Sequence, residues 1–408
     1  MGGERWSLGG MLAAAEDAAP VDSLDVVARA LRERFGANEV SFLFTDLVGR
    51  QLVRVSEDDA ARGGRSAERV PLAGSDYEKV LRAQRPLRVP GEGDKGRVIA
   101  PVTNRGDPIG LLEATLPALD DRLVEEIAEA AHALAYIVIT DGRFTDLYHW
   151  GRRTTPTSLA AEIQHQLLPD AACCEAANLT FAATLMPADG IGGDTYDYAL
   201  DRETLHVSIT DAMGHDVDSA LMATVLVAAL RNARRAGAGI GEQARMAHHA
   251  LLAHGREGLA TGQLLRVSLD GSAVEVVNAG HPLPRLLRDG EVERVQLRAD
   301  LPFGIDPPDG TDDPYRVQYL DLHPGDRLLL LTDGLEDRNA SSVDLDGLLR
   351  DTRGQHPREV VQIITGAVAH ACAGELQDDA TVVCLDWFGP RPTRRHTAGG
   401  SRSTASGT

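Results

Sequence analysis

At 408 residues the chain exceeds the size at which a single core keeps growing, so about two domains are expected. Its formal net charge of -20, from 61 Asp and Glu against 41 Lys and Arg, argues against a nucleic-acid partner, and cationic help for an anionic substrate would come most simply from bound metal. Four cysteines without CxxC spacing (Cys173, Cys174, Cys372, Cys384) fit a reducing cytoplasm, and the longest apolar run, Leu221 to Leu230, is about half of the roughly 20 residues that span a membrane. Residues 1–20 read as a flexible leader: the small patch LGGMLAAA is flanked by Glu4, Glu16 and Asp17, and no export signal is expected.

From Ser23 the pattern SLDVVARALRERFGANEV gives a capped amphipathic helix ending near Gly36, and EVSFLF, QLVRVS, RVIAPVT and IGLLEATL give strands, with DYEKVLRAQ a short helix among them. This mixture of one sheet and a few helices, above all the stretch RVIAPVTNRGDPIGLLEATLP, resembles a GAF-type sensory domain over residues 21–120, which implies a regulatory module. The spelling GEGDKG, Gly91 to Gly96, matches GxGxxG but precedes a strand, so it lacks the helix N-terminus that would hold a phosphate and is read as an exposed turn. From Asp121 apolar residues recur at helical spacing without proline, which gives a helical linker over 121–157. Such a helix is a passive spacer or a dimerising coil, and the homodimer is the favoured expectation.

After Pro156, SLAAEIQHQLLPD begins another helix with Ser158 as its cap and Glu162 near the capping-box position. Beyond Pro169 short apolar strands follow one another (NLTFAATLMP, TLHVSIT, GQLLRVSLD, AVEVVNAG, RLLLLTDG and ATVVCLDW), separated by helical stretches from Ser219 to Arg235 and over PREVVQIITGAVAHAC. Strands with helices that are apolar on one face predict α/β (α+β) architecture with sheets sandwiched between helices. Residues 390–408, rich in Ser, Thr, Gly and Arg, are expected to be a disordered tail.

The acids at strand ends carry the chemistry. They are Asp194 and Asp197 in GIGGDTYDY, Asp211 in ITDAMGHD, Asp333 in LLLLTDGLED, and Asp378 with Asp379 in ELQDDATVVCL. Brought side by side, such carboxylates repel unless a cation lies between them, and an oxygen-only cluster suits hard ions such as Mg²⁺ or Mn²⁺. Two such ions can activate a water for in-line attack on a phosphate.

The set GGDTYD, DAMGHD, NAGHPLP, LPFGI, PGDRLLLLTDGLED and DDATVV resembles the metal-dependent type 2C protein serine/threonine phosphatases, in their bacterial SpoIIE and RsbU branch, over residues 158–389. The resemblance implies a four-layer α-β-β-α sandwich with two Mn²⁺ or Mg²⁺ ions held by Asp194, Asp211, the carbonyl of Ala212, Asp333 and Asp378, with Asp211 and Asp333 as the catalytic pair and Asp379 as a neighbour. It also implies a phosphorylated protein substrate, an anti-sigma-factor antagonist. Two departures stand out: Asp216 follows the His of DAMGHD where the branch has Gly, and Ala212 fills a position that is often Gly. Asp216 either caps the helix or binds a further ion; the cap is favoured. His215 receives no role, and His281 is read as a structural hydrogen-bonding residue. His248, His249 and His254 lack zinc spacing. Two rivals remain: a non-catalytic signalling scaffold, and a hydrolase of a small phosphorylated metabolite. The segment LPFGIDPPDGTDDPYRV is where partner contacts are expected.

Overall fold

The computed structural model describes residues 8–390 apart from 47–50, 56–67, 92–94, 149–157, 189–191, 215, 255–257, 309, 312–313, 337–339, 341 and 374–375. The chain divides into two compact units after Pro156.

The first unit holds α1 (Leu8–Asp17), α2 (Ser23–Phe35), β1 (Glu39–Thr45), β2 (Gln51–Val55), β3 (Glu68–Pro71), α3 (Asp76–Ala83), β4 (Leu87–Pro90), β5 (Gly96–Asn104), β6 (Asp107–Leu116) and α4 (Asp121–Asp141). The strands form one antiparallel sheet in the order β3-β2-β1-β6-β5-β4. Side chains alternate between its faces. Phe42, Phe44, Leu112 and Ala114 therefore meet α2 and α4 in one core, whereas Leu43, Ile99 and Leu111 meet α3 in another.

Two expectations change here. Met11 and Ala15 of α1 are buried in the larger core, so the leader is a packed helix from Leu8. The linker expected over 121–157 is, from Asp121 to Asp141, a wall of this unit: Ile127, Ala130, Leu134 and Val138 seal the sheet. An amphipathic stripe reads the same in sequence whether it covers its own sheet or meets another chain. The GEGDKG segment joins β4 to β5, with the Gly91 N–H donating to the Lys95 carbonyl at 3.0 Å.

The second unit contains α5 (Leu159–Leu167), β7 (Cys173–Glu175), β8 (Leu179–Met186), β9 (Asp194–Leu200), β10 (Thr204–Ala212), α6 (Asp216–Arg235), α7 (Ile240–His254), β11 (Ala260–Ser268), β12 (Val274–Ala279), β13 (Arg285–Arg288), β14 (Glu291–Arg294), β15 (Gln318–Leu320), β16 (Arg327–Leu331), α8 (Leu345–Asp351), α9 (Pro357–Ala371) and β17 (Ala380–Trp387). Its strands form a five-stranded sheet, β15-β12-β11-β10-β9, and a six-stranded sheet, β14-β13-β16-β17-β8-β7.

Tyr196, Val207, Ile209, Leu265 and Val276 of the first sheet share a core with Phe181, Ala183, Leu330, Val383 and Leu385 of the second. Each fully buried Leu, Ile or Phe contributes roughly 1.5–3 kcal/mol, so this layer holds the sheets face to face. On the outer side of the five-stranded sheet, α6 and α7 pack Leu226, Leu230 and Leu251 onto Leu264 and Val277. On the outer side of the other sheet, α9 buries Val360, Val361, Ile364 and Val368 against β8 and β17. The result is the expected α-β-β-α sandwich. Helix α6 starts at Asp216, earlier than the Ser219 the sequence suggested, and Leu221, expected on its packed face, is 37% exposed; Met222 and Ala223 are buried instead. Among the described residues no helix is long and apolar enough to cross a membrane.

Candidate active site

The two-residue period of a strand decides which acids meet. Tyr196 on β9 and Val207 and Ile209 on β10 face the gap between the sheets, so Asp194 and Asp211 face it too, and they are direct register partners. On the opposite sheet Leu328 and Leu330 of β16, and Val383 and Leu385 of β17, carry the same parity to Thr332, Thr381 and Asp379. Thr332 and Thr381 donate their hydroxyls to Oδ2 of Asp194 at 2.7 and 2.6 Å, and Thr381 N–H donates to Thr332 Oγ1 at 2.9 Å. One buried carboxylate thus ties the ends of both sheets together.

Asp379 is tied down equally well. Its Oδ1 accepts from the Ala188 N–H at 2.8 Å and its Oδ2 from Gln164 Nε2 at 2.6 Å, and Gln164 also donates to the Asp194 carbonyl at 2.8 Å. Asp378 is half-buried and accepts the Asp379 N–H at 2.8 Å. Asp333 is exposed and opens the short turn Asp333–Leu335 at the end of β16. Two glycines permit these approaches: a Cβ on Gly334 would run into the Asp379 carbonyl, and one on Gly193 into the carbonyl of Ala212. Gly214, at φ +125°, makes the turn that follows in a conformation L side chains rarely adopt.

The electrostatics are those of crowded acids. Burial, then Asp211 and Asp379, push the Asp194 carboxyl well above the usual range, against the opposing pull of the two threonine hydroxyls. Burial, then Asp333, Asp378 and Asp379, raise Asp211 to about 7. Asp379 is raised by burial, against its hydrogen bonds from Ala188 and Gln164. Five carboxylates are therefore linked electrostatically through Asp211, and the charges that shift Asp211 are of its own sign. Among the described residues no three His, Cys, Asp or Glu side chains are drawn together tightly enough to hold an ion. The donor set nevertheless fits a hard cation, being all oxygen and destabilised by its own charge.

Asp197 does not join this cluster. Three residues from Asp194, it faces the helix layer, where Arg231 Nη2 and Arg234 Nη1 of α6 each donate to it at 2.8 Å. His215 and the side chain of Asp216 lie outside the described residues. His248 accepts at Nδ1 from the Gly304 N–H at 3.2 Å, and the same nitrogen lies 3.1 Å from the Tyr315 hydroxyl. His281 is buried, with Nδ1 2.8 Å from Thr261 Oγ1. The sequence reading missed Gln164, Thr332 and Thr381. Ser158, the expected cap of α5, accepts the Ala161 N–H at 3.1 Å and so sets the helix that carries Gln164.

Residues 201–388 match the family described as Stage II sporulation protein E (SpoIIE). That span lies within the second unit. Phosphoserine phosphatase RsbP of Bacillus subtilis (strain 168) is 28% identical over 211 residues, which cover 48% of this chain and 49% of that protein, so the chain spans about half the length of this relative. Among solved structures, the RsbU and RsbW domains of a Mycobacterium tuberculosis protein align at 22% identity and TM-score 0.47, over 54% of this chain and 63% of that one. The phosphatase domain of SpoIIE from Bacillus subtilis, with a fragment of its regulatory domain, aligns at 20% identity and TM-score 0.44, over 54% of this chain and 65% of that one. The matched span runs from just before β10 to the end of β17, so it contains Asp211, Asp333 and Asp378 and leaves Asp194 and Gln164 upstream.

Proposed function

We propose that the second unit is a metal-dependent phosphatase that hydrolyses phosphoserine or phosphothreonine on a regulatory protein. The observation that carries this reading is the convergence of like charges: Asp211 meets Asp333, Asp378 and Asp379 and rises towards neutrality. Two Mn²⁺ or Mg²⁺ ions, held by Asp194, Asp211, the Ala212 carbonyl, Asp333 and Asp378, would relieve that repulsion. When bound, they would supply Lewis acidity for a water nucleophile and positive charge for the phosphate oxygens. The chain's own residues set the geometry. Thr332 and Thr381 orient Asp194, Gly193 leaves room for the Ala212 carbonyl, and Gln164 and Ala188 occupy Asp379, so Asp378 is the member of that pair assigned to an ion.

The relative named phosphoserine phosphatase supports the substrate class, and the resemblance to the SpoIIE and RsbU branch supports an anti-sigma-factor antagonist as the partner. The first unit is read as a GAF-like sensory domain that controls assembly of the site through α5, since Gln164 of that helix holds both Asp194 and Asp379; the segment between α4 and α5 is its route, and a homodimer its setting.

The test is phosphate release from a phosphoserine-bearing protein of this class with Mn²⁺ present. Turnover that Asp211→Asn and Asp333→Asn abolish is expected, and turnover fully retained in both variants would contradict the assignment. Comparing residues 158–390 with the whole chain tests the regulatory part: identical rates under every condition would remove it.

A further inference from the structure

A buried cation stands behind the turn that presents Asp333. Arg285 of β13 is 3% exposed, and a buried guanidinium must have its charge met. Its Nε donates to Asp346 Oδ1 at 2.7 Å and its Nη2 to Glu336 Oε1 at 2.6 Å. Asp346 lies in the first turn of α8, whereas Glu336 stands three residues past Asp333. One side chain thus ties the helix layer to the segment that leaves β16.

The β13–β14 hairpin gives Glu336 a fixed place. Arg285 is the register partner of Arg294 of β14, and like charges directly opposite each other repel. Glu336 Oε1 also accepts from Arg294 Nη2, at 3.3 Å, so one carboxylate oxygen serves both arginines. Arg285 is in turn the register partner of Leu329, which seats it on the strand that ends at Asp333.

That place sets the turn. Asp333–Leu335 is a single 3-10 turn, a geometry with poor hydrogen bonds of its own. Its entry is held by the Thr332 N–H, which donates to the Thr381 carbonyl at 3.1 Å. Its exit is held by Glu336, whose N–H donates to the Asp333 carbonyl at 2.7 Å and whose carboxylate Arg285 grips. Asp194 and Asp379 are aimed through hydrogen bonds to their own carboxylates; Asp333 is carried by a turn pinned at both ends.

We propose that Arg285 is a positioning residue: through Glu336 it fixes the turn in which Asp333 faces a bound cation. This rests on the reading of Asp333 as a metal ligand. An ion pair that served stability alone would weaken the fold and leave the affinity of folded protein for metal unchanged. The two acids on Arg285 separate these roles, since only Glu336 belongs to the turn.

Two readouts on the full chain test it, with melting followed to confirm folding. The first is Mn²⁺ binding by calorimetry. Groups that orient a metal ligand typically change affinity by roughly 10–100-fold, so Glu336→Ala, which leaves Arg285 paired with Asp346, should bind about ten-fold more weakly, while Asp346→Asn stays within about two-fold of the parent. Arg285→Met should match Glu336→Ala, and the double variant should be no weaker than either, because both changes remove one link. Parent-like affinity in Glu336→Ala, or losses that multiply in the double variant, would overturn the proposal and leave the metal reading intact. The second readout is hydrogen exchange of the Glu336 amide in metal-free protein. It should quicken about ten-fold in Arg285→Met and, corrected for the changed side chain, in Glu336→Ala, and stay parent-like in Asp346→Asn. An unchanged rate in the first two would overturn the proposal. If the parent chain binds no Mn²⁺, the metal reading fails by itself and the exchange rate alone decides whether Arg285 holds the turn.

Discussion

Asp194 and Asp197 are the same residue type, on the same strand, both buried, and three positions apart. Strand parity sends them to opposite faces. Asp197 meets two arginines and is neutralised within the fold. Asp194 meets two hydroxyls and other carboxylates and is driven towards its protonated form. A buried acid that serves stability has its counter-charge supplied by the chain, whereas Asp194 is held by two hydroxyls and set against the charge of Asp211 and Asp379. The unsatisfied charge is the part of the structure that points to a ligand.

Substitutions at the two faces should separate cleanly. Asp211→Asn should lower kcat by about a thousandfold, roughly 4 kcal/mol of barrier, while raising the melting temperature of metal-free protein because one of the crowded charges is gone. A lower metal-free melting temperature would mean that Asp211 is a stabilising group. Asp197→Ala should do the reverse. Removing one side of a buried ion pair strands Arg231 and Arg234, which costs about 3 kcal/mol in urea unfolding, with kcat per folded molecule changed less than about two-fold. Loss of activity comparable to that of Asp211→Asn would place Asp197 in the site after all.

Gly334→Ala sharpens the same contrast through the backbone. The added methyl meets the Asp379 carbonyl, so about 1–3 kcal/mol of stability should be lost, and Mn²⁺ affinity should fall with it because the loops bearing Asp333 and Asp378 separate. Unchanged affinity would show that the two loops need not approach.

The smallest effect is a pH dependence. Asp211 titrates near 7 in the fold and near 4 when unfolded, so between these values the folded state holds the extra proton. Stability should therefore fall as pH rises from about 4 to 7 and stay low above it. In chelator, the melting temperature of the parent should drop by a few degrees relative to Asp211→Asn between pH 5 and 8, and Mn²⁺ should remove the difference. Parallel curves for the two proteins would contradict the raised pKa.

Much of the sandwich was legible because its central strands β8, β10, β11, β12, β16 and β17 are dense in apolar residues, either alternating as in β10 or in an unbroken run as in β16. Strand β9 was not, since DTYDYAL places Asp at two of its seven positions, and the short edge strands β14 and β15 have little apolar pattern to show. The principal acids were legible from where the apolar runs stop. Parity also separated Asp194 from Asp197 in principle, once Tyr196 was known to face the gap. Gln164, Thr332 and Thr381 could not be found this way, because each is an ordinary polar residue until the opposite sheet or the preceding helix brings Asp194 or Asp379 to it. The role of α4 was hidden for a related reason: its stripe declares a buried face and not what buries it.

The most direct test is a crystal of the full chain soaked in Mn²⁺, with anomalous diffraction collected at the manganese absorption edge. Two strong peaks should appear at the open end of the gap between the sheets, both within reach of Asp211 and flanked by Asp194, Asp333 and Asp378. A map without a peak there, or one in which those four carboxylates turn away from the ions towards solvent, would contradict the account.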